Sequence, residues 1–264
     1  MRYIIDNDLH IHSKISLCSG DPEQTNERIL QYAKENDLKT VCLTDHFWDE
    51  TVKAELTDFY RRQDFAHISE ALPLPQTDGI RFLFGCETEM DKHMNIGISE
   101  KLFDKFDFII IPTTHFHMTG FTIPETAVTP TQKAELWLER LNRIFDRDLP
   151  FHKIGIAHLT CGLIDGNREK FLETLESIKT EDLKSVFRWA AEKNVGIEIN
   201  SSDMKFKDEE APIVMRIYKT AKEQGCKFYL GSDAHHPAAL DAAKARFARG
   251  IDYLGLTEDD KFYI

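Results

Sequence analysis

Histidine, aspartate and glutamate recur in this chain just where short apolar runs end. His10-Ile11-His12 closes the run that starts at Tyr3, and Thr44-Asp45-His46 follows Thr40–Leu43. Gly85-Cys86-Glu87 ends the run from Arg81, and His115-Phe116-His117 comes soon after Phe108–Pro112. His158 follows Lys153–Ala157, Glu198-Ile199-Asn200 ends the run from Val195, and Gly231-Ser232-Asp233-Ala234-His235 follows Lys227–Leu230. Imidazole and carboxylate together suit zinc, manganese or iron; calcium, which prefers all-oxygen shells, fits poorly. In His-x-His both rings fall on one face of a strand and can reach one ion. A single buried histidine is more often a satisfied core residue than a ligand. So many ionisable groups at strand ends would be costly without metal or partners. Adjacent ions would lower the pKa of a water bound between them.

Elements must bring these residues together. The strand candidates are Tyr3–Leu9, Thr40–Leu43, Arg81–Cys86, Phe108–Pro112, Lys153–Ala157, Val195–Ile199 and Lys227–Leu230. They alternate only partly, as strands covered on both faces do. Helical patterns separate them: Pro22–Asn36 after a capping Asp21, Thr131–Phe145, Asn167–Lys179, Glu181–Lys193, Glu209–Gln224 and Pro237–Arg249. Repeated strand–helix units predict parallel strands joined by crossover helices, whose C-terminal ends share one face. Seven strands suggest an α/β barrel, although an open doubly wound sheet would give the same pattern. With no linker and no repeat, residues 1–264 are expected to form one domain. Pro73–Gly79 and Met118–Pro130 read as loops over the site.

A formal charge of −12 disfavours long nucleic acids and anionic membranes. Five cysteines without short paired spacing suit a reducing compartment, with Cys42, Cys86 and Cys226 expected to be buried hydrophobes. Neither a signal peptide nor an apolar stretch of membrane-spanning length is visible, so a soluble, cytoplasmic protein is expected. Composition says nothing of oligomeric state.

Taken in order, Asp8-Leu9-His10-Ile11-His12-Ser13, Thr44-Asp45-His46, Gly85-x-Glu87, His115, His158 and Gly231-Ser232-Asp233-Ala234-His235 resemble the motifs of the polymerase-and-histidinol-phosphatase (PHP) family. The resemblance spans nearly the whole chain. It implies a distorted (β/α)7 barrel holding two or three divalent transition-metal ions, zinc first, with manganese or iron as alternatives. It also implies a division of ligands. His10, His12, Glu87 and Asp233 would hold one ion, Glu87 would bridge to a second held by His115 and His158, and His46 and His235 would serve a third. Where many relatives place a further ligand this chain has Cys18; Asp21 is the alternative. Asp45 is expected to orient a ligand histidine or to close a hydrogen bond, and His117 either replaces His115 or meets substrate. His67, His93, His152 and His236 are expected to lie outside the cluster.

The implied activity is hydrolysis of a small-molecule phosphate ester, L-histidinol phosphate being the best single named substrate. Glu87, Asp233 and His235 are the candidate catalytic residues, the last two as proton relays. Asn200, Lys205 and His117 are candidate substrate contacts; Lys205 stands where histidinol phosphatases carry a phosphate-binding arginine. Three other readings compete. One is a nucleotide or short-oligonucleotide phosphoesterase. Another is an amidohydrolase-like enzyme cleaving C–N or C–O bonds, which typically carries a bridging lysine not found here. The third is a non-catalytic domain of the kind found within large polymerases.

Overall fold

The computed structural model describes residues 1–264. Its strands are β1 (Asn7–Ile11), β2 (Thr40–Leu43), β3 (His46–Phe47), β4 (Arg81–Phe84), β5 (Cys86–Thr88), β6 (Ile109–Pro112), β7 (Ile154–Ala157), β8 (Gly196–Asn200) and β9 (Lys227–Gly231). The helices are α1 (Asn26–Glu35), α2 (Asp58–Arg61), α3 (Phe65–Ile68), α4 (Pro130–Phe145), α5 (Arg168–Ser177), α6 (Thr180–Lys193), α7 (Ala211–Glu223) and α8 (Pro237–Leu254). All strand pairs are parallel, in two runs, β1-β2-β4 and β3-β5-β6-β7-β8-β9.

Seven staves result, because β2 with β3 and β4 with β5 are each one stave broken near its upper end. Gly85 N donates to Leu43 O (2.8 Å) and Glu87 N to Asp45 O (3.1 Å), so the two staves stay paired across the breaks. β1 meets β9 at the other edge. There Asp233 N donates to His10 O (2.7 Å), His12 N donates to Ala234 O (3.1 Å), and Ile11 bridges Ala234. The parallel α/β barrel expected from the sequence is therefore the fold.

Burial divides by layer. Leu9, Cys42, Leu83, Phe108, Ile110, Ala157 and Tyr229 form a small apolar cluster with Phe262 from the C-terminal tail. Phe262 N donates to Phe228 O (2.8 Å), which holds the tail to β9. The larger cluster holds strand residues such as Ile11, Ile109, Ile197 and Leu230 together with helix residues such as Trp137, Phe187 and Tyr218. Cys42, Cys86 and Cys226 are buried as expected.

Boundaries differ from the sequence reading in instructive ways. Tyr3–Asp6 leaves the first strand: Tyr3 N donates to Leu256 O (3.1 Å) and its hydroxyl to Phe228 O (2.8 Å). The first long helix starts at Asn26, capped by Thr25. Asp21 accepts from Glu23 N (2.9 Å) in the preceding turn. Pro73–Gly79 leads into the N-terminal end of β4, away from the catalytic face, so it is not a loop over the site. Met118–Pro130 does reach the site. No helix is long and apolar enough to cross a membrane.

Candidate metal centre

His10 and His12 stand at the end of β1, where the pairing register shifts between Asp8 and Ile11. Strict alternation would put Leu9 and Ile11 on one face. Leu9 instead joins the inner apolar cluster and Ile11 the outer one, as a bulge allows. Glu87 lies opposite His46 on neighbouring strands. His158 and Asp233, directly after β7 and β9, hold left-handed backbone (φ 33° and 52°), the kind of strain that gathers at functional sites.

Three groups of side chains each bring one ligand atom apiece within 4.8 Å of the others. They are His10, His12, Glu87 and Asp233; Glu87, His115 and His158; and His12, Cys18, His46 and His235. Every candidate metal residue from the sequence falls in one of them. Glu87 shows its two oxygens to different neighbours. Oε1 faces His158 Nε2 (3.1 Å), while Oε2 faces His46 Nδ1 (3.0 Å), His12 Nε2 (3.3 Å) and His10 Nε2 (3.5 Å).

Ring tautomers follow from the outward hydrogen bonds. His10 donates from Nδ1 to Glu198 (2.7 Å) and His115 from Nδ1 to Glu89 (2.7 Å). His235 donates from Nδ1 to the Asp233 carbonyl (2.9 Å). Thr114 Oγ1 gives its proton to the His158 carbonyl (2.8 Å) and so accepts from His158 Nδ1 (2.8 Å). In the neutral rings Nε2 then carries a lone pair aimed inward. The His158 Nε2 lone pair thus faces a Glu87 oxygen 3.1 Å away, and the His10 Nε2 lone pair faces His12 Nε2 at 3.2 Å. Only a proton or a metal cation between them makes that packing favourable. The donor set fits a divalent metal.

Electrostatics point the same way. Burial raises the Glu87 carboxyl, but His46 and His10 outweigh it and hold it well below the usual range. Asp233 is likewise driven down, against burial, chiefly by His10 and a hydrogen bond from His12. Burial lowers His12, yet hydrogen bonds to Asp233 and Glu87 lift it to about 9. Burial and His12 push His235 down to about 4. The ionised carboxylates draw positive charge into the cluster: against burial, Glu198 and Asp233 raise His10 and a hydrogen bond to Glu87 lifts His158 to about 9, while burial leaves His46 lowered.

Several residues met here carry no metal-ligand motif of their own. Glu198, fully buried, accepts from His10 with one oxygen and from His158 N with the other (2.7 Å each). Gly231 makes room for it, since a Cβ there would come within 1.8 Å of Glu198 Oε1. Glu89 is pinned by the fully buried Arg140 of α4 (2.9 Å). The spacing Glu87-x-Glu89 was the one available signal, and it shows in sequence only as a second carboxylate. Asp45 closes hydrogen bonds rather than orienting a histidine: it accepts from Ser13 N and Oγ (2.7 Å each) and stays 4.0 Å from His12 Nδ1.

Cys18 enters the third group because its loop is tied down. Lys14 N donates to Gln24 O (2.7 Å), Gln24 Nε2 donates to His12 O (2.8 Å), and Ser19 Oγ donates to His235 O (2.5 Å). Cys18 is exposed, yet desolvation of its sulfur by the surrounding loop, eased by Ser16 and reinforced by Glu87, pushes the thiol up to about 12. Asp21 belongs to none of the groups. His117 is exposed and lines the cavity without joining a group. Asn200 is fully buried, where it donates to Glu198 (3.1 Å) and accepts from Ser202 N (2.7 Å). Lys205 is exposed on a short turn after β8, lowered somewhat by burial and by Arg246 beside it. His67 donates to Ile15 O (2.9 Å), and His93, His152 and His236 lie outside the cluster, as expected.

A profile of the PHP domain family matches residues 8–202. This chain belongs to the PHP family. Two curated relatives are similar over most of their length. A probable phosphatase of Caldicellulosiruptor saccharolyticus is 23% identical over 88% of this chain and 80% of its own. One of Clostridium novyi is 28% identical over 89% and 80%. Among solved structures, histidinol phosphate phosphatase from Lactococcus lactis, complexed with zinc, L-histidinol and phosphate, superposes with a TM-score of 0.59 at 19% identity, over 93% of both chains. The shared fold is the PHP barrel.

Proposed function

We propose that this chain is a phosphoesterase that hydrolyses a small-molecule phosphomonoester at the cluster, with residues 1–264 acting as one metallo-hydrolase domain. The observation that carries the reading is the convergence of His10, His12, His46 and His158 ring nitrogens on the two oxygens of Glu87, a donor set that suits cations. Two or three divalent transition-metal ions would occupy it, zinc first, with manganese or iron as alternatives. His10, His12, Glu87 and Asp233 would hold one, Glu87, His115 and His158 a second, and His12, Cys18, His46 and His235 a third. Bound there, such ions supply positive charge to the phosphate and lower the pKa of an attacking water.

The chain's own residues do the rest. Glu198, Glu89 and Thr114 fix the tautomers that aim the lone pairs inward. Asp233 and His235 are partly exposed and line the cavity; an oxygen of the ionised Asp233 can take the proton that the attacking water loses and return it to the leaving alkoxide. Lys205 would meet a peripheral phosphate oxygen as a point charge. The cavity measures about 250 Å³, which favours a small monoester over a nucleotide or oligonucleotide.

The test is a panel of phosphate esters, L-histidinol phosphate among them, on protein purified without chelator, with elemental analysis of the same batch. Hydrolysis with at least two ions per chain is expected. Under one ion per chain after reconstitution would overturn the cluster.

A further inference from the structure

Part of the cavity wall is apolar, and it rests on a core of its own. Trp48, Tyr60 and Phe121 are buried together, apart from the main core. The Tyr60 and Trp48 rings lie 5.1 and 5.6 Å from that of Phe121. This joins the segment after β3, which carries α2, to the segment after β6. Trp48 Nε1 donates to Val52 O (2.9 Å) and Lys92 N to Phe121 O (2.6 Å), which fixes both. On this base Phe59 and Met118 face the cavity, and Leu163 enters from the segment after β7. Phe59 sits edge-on to His46, 5.4 Å between centroids. Leu163 is 39% exposed, an apolar side chain left open beside a polar cluster. The cavity has two carboxylates, Glu87 and Asp233, and both belong to the cluster.

We propose, resting on the phosphomonoesterase reading above, that the alcohol portion of the substrate is a neutral apolar or aromatic group seated against Phe59, Met118 and Leu163. Such a group gains by leaving water against these side chains. An ammonium in the same place would lose hydration with no free carboxylate to receive it. Selection is then by the alcohol's polarity, while the phosphate end is common to all monoesters.

The test compares 3-phenylpropyl phosphate with 3-aminopropyl phosphate on the metal-loaded enzyme. The phenyl ester should exceed the amino ester in kcat/KM by roughly tenfold or more, the effect of burying one ring. L-Histidinol phosphate, with its ammonium, should fall below the phenyl ester. Phe59→Ala and, separately, Leu163→Ala should each reduce the preference severalfold. Inhibition by inorganic phosphate, which meets only the cluster end, should keep its Ki in both. Leu163 is exposed on a short turn, so its truncation tests the wall without threatening the fold. Equal turnover of the two esters, or a preference for the amino ester, would sink the apolar seat and leave the phosphatase reading standing. A wild-type preference that persists in both variants would also overturn it. No hydrolysis of any ester would remove both.

Discussion

Glu87 is the residue on which the cluster turns. Its two oxygens face different histidines, so one side chain is shared between two of the three ligand groups. Glu87→Ala should therefore lower turnover on the order of a hundredfold or more, beyond what loss of an outer-shell partner costs. His46→Ala should do no more harm than that. Near-normal turnover and metal content in Glu87→Ala would disprove the bridge. Cys18 supplies the one sulfur. Cys18→Ser should reduce only the third ion, because a hydroxyl binds zinc far more weakly than a thiolate. Anomalous scattering that finds three equally occupied ions in the mutant would count against Cys18 as a ligand. Lys205 has no carboxylate partner among the ion pairs. Lys205→Ala should raise KM more than it lowers kcat, since a peripheral charge acts on ground and transition states alike. The loss should be roughly tenfold to a hundredfold, the worth of a charged hydrogen bond. Steady-state kinetics with Lys205→Arg alongside decides it; an unchanged KM in the alanine variant leaves Lys205 a solvated lysine.

At the scale of elements, strand ends place the ligands and helix α4 steadies them from behind. Arg140 is fully buried on that helix, donating to Glu89, to Thr122 O (2.8 Å) and to Pro112 O (3.3 Å). Glu89 in turn holds His115. Removing one member of a buried pair strands the other charge. Arg140→Met should therefore cost about 3–5 kcal/mol, measured by urea unfolding. Combining it with Glu89→Leu should recover much of that stability, since no unpaired charge remains. The double variant should still lose metal at the His115 position, because the ring is no longer held. A double variant no more stable than the single would show that Glu89 and Arg140 are not coupled.

For the whole molecule, chemistry and stability sit at opposite ends of the barrel. Polar groups crowd the C-terminal ends of the strands, while the tail supplies Phe262 to the inner apolar cluster. There its ring lies 6.2 Å from Phe108 and 6.5 Å from Tyr229. Phe262→Ala should cost about 3–5 kcal/mol, as expected for a large aromatic cut from a core. Metal content and KM should stay as in the wild type. A variant that keeps its stability but loses metal would show that the two ends are coupled.

The sequence by itself determined the order of the seven staves and of the six long helices, though not the short α2 and α3, and the metal-binding residue types at the strand ends. It could do so because parallel strands bring their C-terminal ends to one face whatever their register. The PHP motifs were legible for the same reason: each is a short run at one strand end. Only the tertiary structure decided which groups orient the ligands. His10 and Glu198 are 188 positions apart, and no local pattern links them. Nor could spacing tell that Cys18 and not Asp21 comes within reach of His12, His46 and His235, since that depends on how the loop is tied to His12 and His235. Asn200 reads from sequence only as a polar residue at a strand end, and packing alone shows that it is buried with hydrogen bonds to Glu198 and Ser202. The apolar wall was hidden because Phe59, Met118 and Leu163 come from three separate segments, and only packing on Trp48, Tyr60 and Phe121 brings the first two together.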